Sequence, residues 1–394
     1  MNKYSIKSIN KKTVNRIAII VAFSLMYISV LLWANWPQEG TYATAASKIW
    51  FEKAHVSELK SDDASPDTWT EGLRLGTQYV VLTLDSGKYK DNELEVINYL
   101  AAYGNIDLQE GTKVIVRMDY LEDQTPYVVG ILNYDRTFMM GILILIFAGC
   151  LIGFGGKKGL SALVGLAFTI LSIWFLLIPL IRKGVPSILA AIFLVAITTF
   201  VSHLVLNGFS KKTYISVIGC IGGVTIAGII AYLAGQLTPI NGFNMPEAEE
   251  LVLRAADEGL RISGLLVSGV LIASLGAVMD VSITITAAIA ELKELNTHIT
   301  MKELIQSGLN IGRDAMGTMA NTLILAFAGA SLNMLVLFRV FDYPYIQIFN
   351  SDLMAIEIIQ GISGSIGIIL TVPLVTVLGA YFYSHEKQIK KSKN

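Results

Sequence analysis

The sequence predicts a mainly α, polytopic bundle of about eight membrane-spanning helices, carrying one small β-rich domain outside the bilayer. Three observations predict it. Apolar residues make up 53% of the 394 positions, only 15% are charged, and the mean hydropathy is +0.58; soluble domains carry about 25% charged residues. Apolar runs recur at lengths near the roughly 20 residues that a helix needs to cross a bilayer. Between the first and second of these runs, residues 37–136 change composition, holding most of the acidic residues and no spanning run.

Residues 1–36 read as a basic cytoplasmic tail and a signal-anchor helix. Lys3, Lys7, Lys11, Lys12 and Arg16 precede the run 17–33, which is apolar except for two serines. Ala43-Thr44-Ala45 resembles a cleavage site, yet it lies too far beyond the run, and the run is long for a cleaved signal. The basic flank keeps the N-terminus inside and sends the next segment out. In residues 37–136, strand-like patches fall at 51–59, 78–85, 94–100, 113–120 and 127–134. The tract YVVLTLD over 79–85 and KVIVRM over 113–118 alternate or cluster β-branched residues, as strands do. Asp85-Ser86-Gly87 and Glu110-Gly111-Thr112 are turn signals beside them. These strands suggest a small barrel or sandwich, with an OB-like barrel as one form. Such barrels bind oligosaccharides or nucleic acids, but no basic face with interleaved aromatics is visible. No nucleic-acid partner is expected, and an assembly role is the plainer reading.

Residues 137–383 read as seven further spans: 138–154, 160–181, 187–206, 214–235, 264–292, 315–338 and 354–383. Gly155-Gly156-Lys157-Lys158-Gly159 is a tight basic turn between the first two. The last three runs exceed the span length, so tilt, kinks or extension beyond the lipid are expected. Residues 384–394 are a basic tail. With both termini inside, sixteen Lys and Arg residues fall on the inner side and five in the short outer loops, which satisfies the positive-inside rule. The outer loop 246–262 reads as a helix capped by Asn244 and running towards the sixth span. Thr300-Met301-Lys302-Glu303 matches a capping box, and the helix after it puts Met301, Leu304, Ile305 and Leu309 on one side, as a helix lying on the inner surface would.

The chemistry concentrates in the last three spans. Asp280 lies well inside the sixth, where an ionised aspartate costs roughly 2.5–3.5 kcal/mol on insertion scales and is a functional candidate by default. Ala273, Gly276, Ala277, Asp280, Thr284 and Ala287 share one small, polar face suited to helix packing; Leu275, Val278, Ile285 and Ile289 share a bulky face suited to lipid. In the seventh span Asp314, Gly317 and Asn321 share a face next to Arg313, and in the eighth Glu357 precedes Gly361, Gly364, Gly367 and Pro373. Asn321 is placed to reach Asp280, with Glu357 outward and Arg313 and Asp314 near the inner edge. A carboxylate whose charge is costly can alternate between protonated and paired forms, as a proton-coupled carrier requires. The plainer reading is that these groups tie helices together. The glycines allow close approach or hinge movement, and Pro373 must free a backbone carbonyl. The β-branched tract Val281-Ser282-Ile283-Thr284-Ile285-Thr286 is expected to stay helical in lipid, a broken helix at a binding site being the alternative. Cys150 and Cys220 are expected to be buried thiols, and His203 a surface or packing residue. No HExxH, GxGD or GxxxxGK[ST] pattern and no metal-ligand spacing occurs. Neither enzymatic activity nor a cofactor or metal is expected.

The blocks Gly276-Ala277-Val278-Met279-Asp280-Val281, Asn310-Ile311-Gly312-Arg313-Asp314, the tract MGTMANTLILA over 316–326, and Glu357 with Gly364-Ser365-Ile366-Gly367 and Ile369-Leu370-Thr371-Val372-Pro373-Leu374 resemble the bacterial YibE/F family. The resemblance covers about residues 264–382. It implies a polytopic protein of the bacterial plasma membrane, of a family described as candidate transporters or efflux proteins without an established substrate. The function expected is secondary transport, as export of an unidentified small molecule or ion, with Asp280 as the titrating or coordinating group. The alternative is a non-transporting scaffold, receptor or accessory subunit whose outer β-domain recognises a membrane-protein partner.

Overall fold

The computed structural model describes residues 11–36, 49–120, 126–246, 248–258 and 260–384. The chain divides into two compact units: Gln38–Cys150, and Met1–Pro37 together with Leu151–Asn394.

The first unit is built on strands β1 (Ile49–Asp62), β2 (Ser65–Pro66), β3 (Arg74–Leu84), β4 (Glu93–Leu100), β5 (Lys113–Tyr120) and β6 (Pro126–Tyr134). All pairings are antiparallel, in the order β2-β3-β1-β5-β6 with β4 added to β3. Each expected strand patch lies in one of these strands. Alternation explains the core: Ala54, Val56, Val80, Leu82, Leu84, Val96, Val114, Val116 and Met118 turn inwards. Among the described residues no ladder joins β4 to β6, so the sheet is a half-barrel. One polar group is built into its core. The fully buried Gln78 donates to Asp107 Oδ1 (3.0 Å) and to the Leu108 carbonyl (3.1 Å), and accepts from Asn98 Nδ2 (3.0 Å) and the Leu108 N–H (3.0 Å). A buried amide satisfied on both atoms fixes register as well as burial.

The second unit is helical. Its elements are α1 (Lys11–Ala34), α2 (Thr137–Ser172, which crosses the division), a π turn (Ile173–Leu177), α3 (Ile178–Arg182), α4 (Ser187–Asn207), α5 (Lys211–Leu237), α6 (Ala248–Glu258), α7 (Leu265–Leu295), α8 (Met301–Ala330), α9 (Leu332–Val340), α10 (Tyr345–Phe349) and α11 (Asp352–Ser384). Among the described residues, five helices are long and apolar enough to cross a membrane, Thr137–Arg182 counted as one; there are six if α8 and α9, bent by 57°, form one span. The apolar part of α1 that is described, Ala22–Ala34, is shorter. The expected turn at 155–159 is a break at Gly156, whose φ of 54° and ψ of −133° only glycine adopts readily. A Cβ at Gly159 would collide with the Leu151 carbonyl, so the chain doubles back tightly there.

Three local expectations change. The loop helix α6 does not continue into α7. Asn244 closes a capping box with Asn241 in a short 3-10 turn and donates to Asp352 Oδ2 (2.8 Å). The Thr300–Glu303 capping box is present, with Thr300 N–H to Glu303 Oε2 at 2.8 Å and Glu303 N–H to Thr300 Oγ1 at 3.3 Å. The helix it starts is not a separate surface helix, however. Gly308 and Gly312 let Ile289, Val372 and Thr376 seat against it, so 301–314 run straight into the bundle as the first half of α8. The bend comes later, at Ser331. The β-branched tract 281–286 stays helical within α7.

Candidate functional site

α7 packs against α4, α5, α8 and α11, and its neighbours give way to it. A Cβ at Gly223 of α5 would lie 2.9 Å from Val278, one at Gly228 2.6 Å from Leu271, one at Gly308 of α8 3.2 Å from Ile289 and one at Gly312 3.2 Å from Ile285. The bulky residues of α7 thus seat against glycines of the surrounding helices, and Leu275, Val278, Ile285 and Ile289 are buried. This reverses the expected use of its two faces. Ala273, Gly276, Asp280 and Thr284 form the exposed stripe, and a Cβ at Gly276 would meet nothing within 4 Å. The reason is physical: the small residues that permit close approach are on the partner helices, so α7 needs none of its own there.

The same contacts give the depth of each residue. Pairing Ile285 with Gly312 and Ile289 with Gly308 makes α7 and α8 antiparallel, and Ser274 and Leu323 meet at Gly364 of α11. Asp280, the central residue of the 31-residue α7, is then level with Gly317, and Asn321 is level with Gly276. Arg313 lies about 6 Å from the level of Asp280, and about 10 Å inside the level of Glu291, at about 1.5 Å per residue. The expected inner-edge position of Arg313 and Asp314 is therefore corrected: they lie two turns deeper, because α8 enters the bundle as one straight helix. Arg313, Asp314, Gly317 and Asn321 are all exposed, and a Cβ at Gly317 would also meet nothing within 4 Å. Thr318 and Thr322 join this exposed polar face, their hydroxyls donating to carbonyls in their own helix.

Partners are few. Arg313 Nη1 donates to Asn310 Oδ1 (3.2 Å). Among the described residues, the carboxylates of Asp280 and Asp314 make no hydrogen bond or ion pair. Glu357 is half-buried, with Oε2 fully enclosed and without a partner among the described residues. It sits about 20 Å in depth from Asp280, towards the Asp352 end, at about 1.5 Å per residue. The structure thus brings Asp280 and Gly317 to one depth, with Gly276 and Asn321 about a turn away on one side, Arg313 and Asp314 about a turn away on the other, and leaves Glu357 apart. The glycines of α11 differ among themselves. A Cβ at Gly367 would lie 2.6 Å from Ala227 Cβ and 3.0 Å from the Gly223 carbonyl, and one at Gly364 2.7 Å from Leu323, while Gly361 has only ordinary contacts. Pro373 stands on the exposed side of α11 within an unbroken helix.

Three further residues are corrected or located. Cys150 is exposed, while Cys220 is buried against Thr199 (3.7 Å). His203 is fully buried, its Nδ1 2.8 Å from the Thr199 carbonyl. Among the described residues no group of three or more His, Cys, Asp or Glu is placed to hold a metal.

A family model described as YibE/F-like protein matches residues 143–385, more than half of the chain. The chain belongs to the YibE/F-like family. In this YibE/F-like chain the match takes in every helix from α2 to α11 except the first turns of α2, and excludes the strands. All the candidate residues of α7, α8 and α11 lie inside it. No curated protein and no solved structure matches the chain.

The sequence reading missed one feature outside the match. Tyr79 of β3 pairs with Ile97 of β4, and both stand on the outer face of the sheet with Tyr99; Trp69 and Tyr103 are 91% and 98% exposed in neighbouring loops. The signal was the alternation itself, since Tyr79, Ile97 and Tyr99 take the outward positions of strands whose inward positions are apolar but for Gln78 and Asn98.

Proposed function

We propose that this chain is a secondary transporter of the bacterial plasma membrane, working as an exporter, with Asp280 as the group that titrates or coordinates the cargo. One observation carries this reading. A carboxylate stands at the midpoint of the 31-residue α7, without a partner among the described residues, beside glycines whose Cβ positions would be empty. A charge held there faces either hydrocarbon, at several kcal/mol, or a wet path. Protonation or ion binding removes the charge and lets the site change its access, which couples cargo to the ion gradient. Asn321, Arg313, Asp314 and Glu357 extend the polar path along the membrane normal, and the tight Gly364 and Gly367 contacts are where α11 would slide or hinge.

The proposal takes the spans as eight: α1, the two arms of Thr137–Arg182 on either side of Gly156, α4, α5, α7, α8 with α9, and α11. α1 acts as an uncleaved signal anchor and both termini are cytoplasmic. The half-barrel, whose outermost strands β4 and β6 are not laddered among the described residues, fits a partly open OB-like barrel outside the membrane.

The test is an accumulation screen of metabolites and ions in deletion and overexpression strains, with Asp280→Asn as the control. Transport predicts wild-type amounts of the variant in the membrane and loss of the efflux phenotype. Wild-type efflux through Asp280→Asn would overturn the assignment. A second reading, a scaffold or receptor acting through the β-domain, is favoured by the exposed row Tyr79, Ile97 and Tyr99. It predicts the opposite pattern: deletion of residues 41–136 removes function and Asp280→Asn does little.

A further inference from the structure

The exposed face of α8 is polar where a span should be apolar. Asn310, Gly317 and Asn321 (i, i+7, i+11) run along its centre, with Arg313 on one side of that line and Asp314 on the other. Among the described residues Arg313 hydrogen-bonds Asn310 alone, and the Asp314 carboxylate makes no hydrogen bond or ion pair. A charged group on a lipid-facing surface at this depth costs several kcal/mol, so protein or water must cover the face.

We propose that a second copy of this chain covers it, and that two α8 helices meet about a two-fold axis along the membrane normal. The charges select this occupant. A two-fold along the normal keeps every residue at its own depth, and Arg313 and Asp314 differ in depth by only about 1.5 Å. It also sets the left flank of one helix against the right flank of the other, as e and g positions meet in a parallel coiled coil. Arg313 of each copy therefore faces Asp314 of the other, in two reciprocal pairs. Between them Gly317 offers no side chain and lets the backbones approach, and Asn310 and Asn321 meet their own counterparts, where side-chain amides bond across helices. An unrelated partner would need the mirror arrangement of both charges; a second copy has it already. The proposal rests on the reading of these residues as an intramembrane transport site, and it makes that site incomplete in a single chain.

The test is disulfide cross-linking in native membranes of the full chain carrying Cys150→Ser and Cys220→Ser. Gly317→Cys, or Asn321→Cys where Gly317→Cys fails to reach the membrane, is treated with an oxidant; Gly276→Cys, on the exposed stripe of α7, level with Asn321 and about 6 Å from the level of Gly317, is the control. A disulfide requires Cα atoms within about 7 Å. The proposal expects a covalent dimer from the α8 position and at least tenfold less from Gly276→Cys. It further expects loss of the dimer with Arg313→Asp or Asp314→Arg alone, and recovery with the two combined. Equal cross-linking at both positions, none at α8, or no recovery in the double exchange would overturn it. Cross-linking reads assembly without reference to flux. Dimers that persist in an Asp280→Asn background with wild-type efflux would sink the transport reading alone; efflux lost in that background without dimers would sink this one alone.

Discussion

At the scale of single residues, the partnerless state of Asp280 sets what its substitution should do. Asp280→Asn keeps the shape and breaks no bond among the described residues, so its effect on folding should stay within about 0.5 kcal/mol, the range of surface changes. Thermal unfolding in detergent checks this, and a fall of several degrees would mean that Asp280 holds the bundle together. Asp135 gives a different residue-scale prediction. Thr137, through its hydroxyl and its N–H at 2.9 Å, and Lys53, at 2.9 Å, hold the Asp135 carboxyl down at about 2. An acid lowered in the folded state stabilises it fully above the unfolded value near 3.9. That contribution is lost as pH falls through about 2. Asp135→Ala should therefore cost about 1 kcal/mol at most at pH 7, since the site is near the surface. The difference from wild type should shrink between pH 4 and pH 2, as followed by denaturant melts of the two chains. The special character of Asp280 is visible from sequence because a lone carboxylate in an apolar run is conspicuous. The pairing of Asp135 with Lys53 is not, because it depends on how β1 and the end of β6 come together.

At the scale of elements, the helices divide by who supplies the small residue. Gly367→Ala drives a methyl against Ala227 and the Gly223 carbonyl, and backbone cannot rotate away, so a loss of about 1–3 kcal/mol is expected. Gly276→Ala meets nothing within 4 Å and should be neutral or stabilise α7 by up to about 1 kcal/mol. Chemical denaturation of the two variants in the same detergent compares them, and equal losses would refute this packing scheme. The element boundaries of the strands could be read from the sequence because alternation is local. The faces of α7 could not. Its small stripe and its bulky stripe are each compatible with packing, and the glycines that decide between them, Gly219, Gly223, Gly308 and Gly312, lie on other helices. The straight entry of α8 was hidden for the same reason. Met301, Leu304, Ile305 and Leu309 look like one side of a surface helix until Ile289, Val372 and Thr376 are seated against Gly308 and Gly312.

At the scale of the whole molecule, a helical unit of the YibE/F-like family and a small antiparallel half-barrel share one chain. The eight-span proposal places residues 41–136 outside and the chain beyond Ser384 inside. Reporter fusions within 41–136 should be active only in the extracytoplasmic space, and fusions after Ser384 only in the cytoplasm; both on one side would remove one span from the scheme, and the reverse would invert its orientation. Composition and run length were enough to read a multi-pass protein. The count was not settled by them, because Gly156 and Ser331 interrupt helices that hydropathy alone treats as continuous or separate. On this reading the exposed stripe of α7 faces a wet path rather than lipid, and site-directed labelling measures that exposure directly. Asp280→Cys, in a chain carrying Cys150→Ser and Cys220→Ser, is exposed in intact membranes to a charged, membrane-impermeant maleimide. Labelling is expected well above that of Ile369→Cys, an exposed apolar position on α11 near the same depth. Labelling of Asp280→Cys no greater than that lipid-facing control would contradict it.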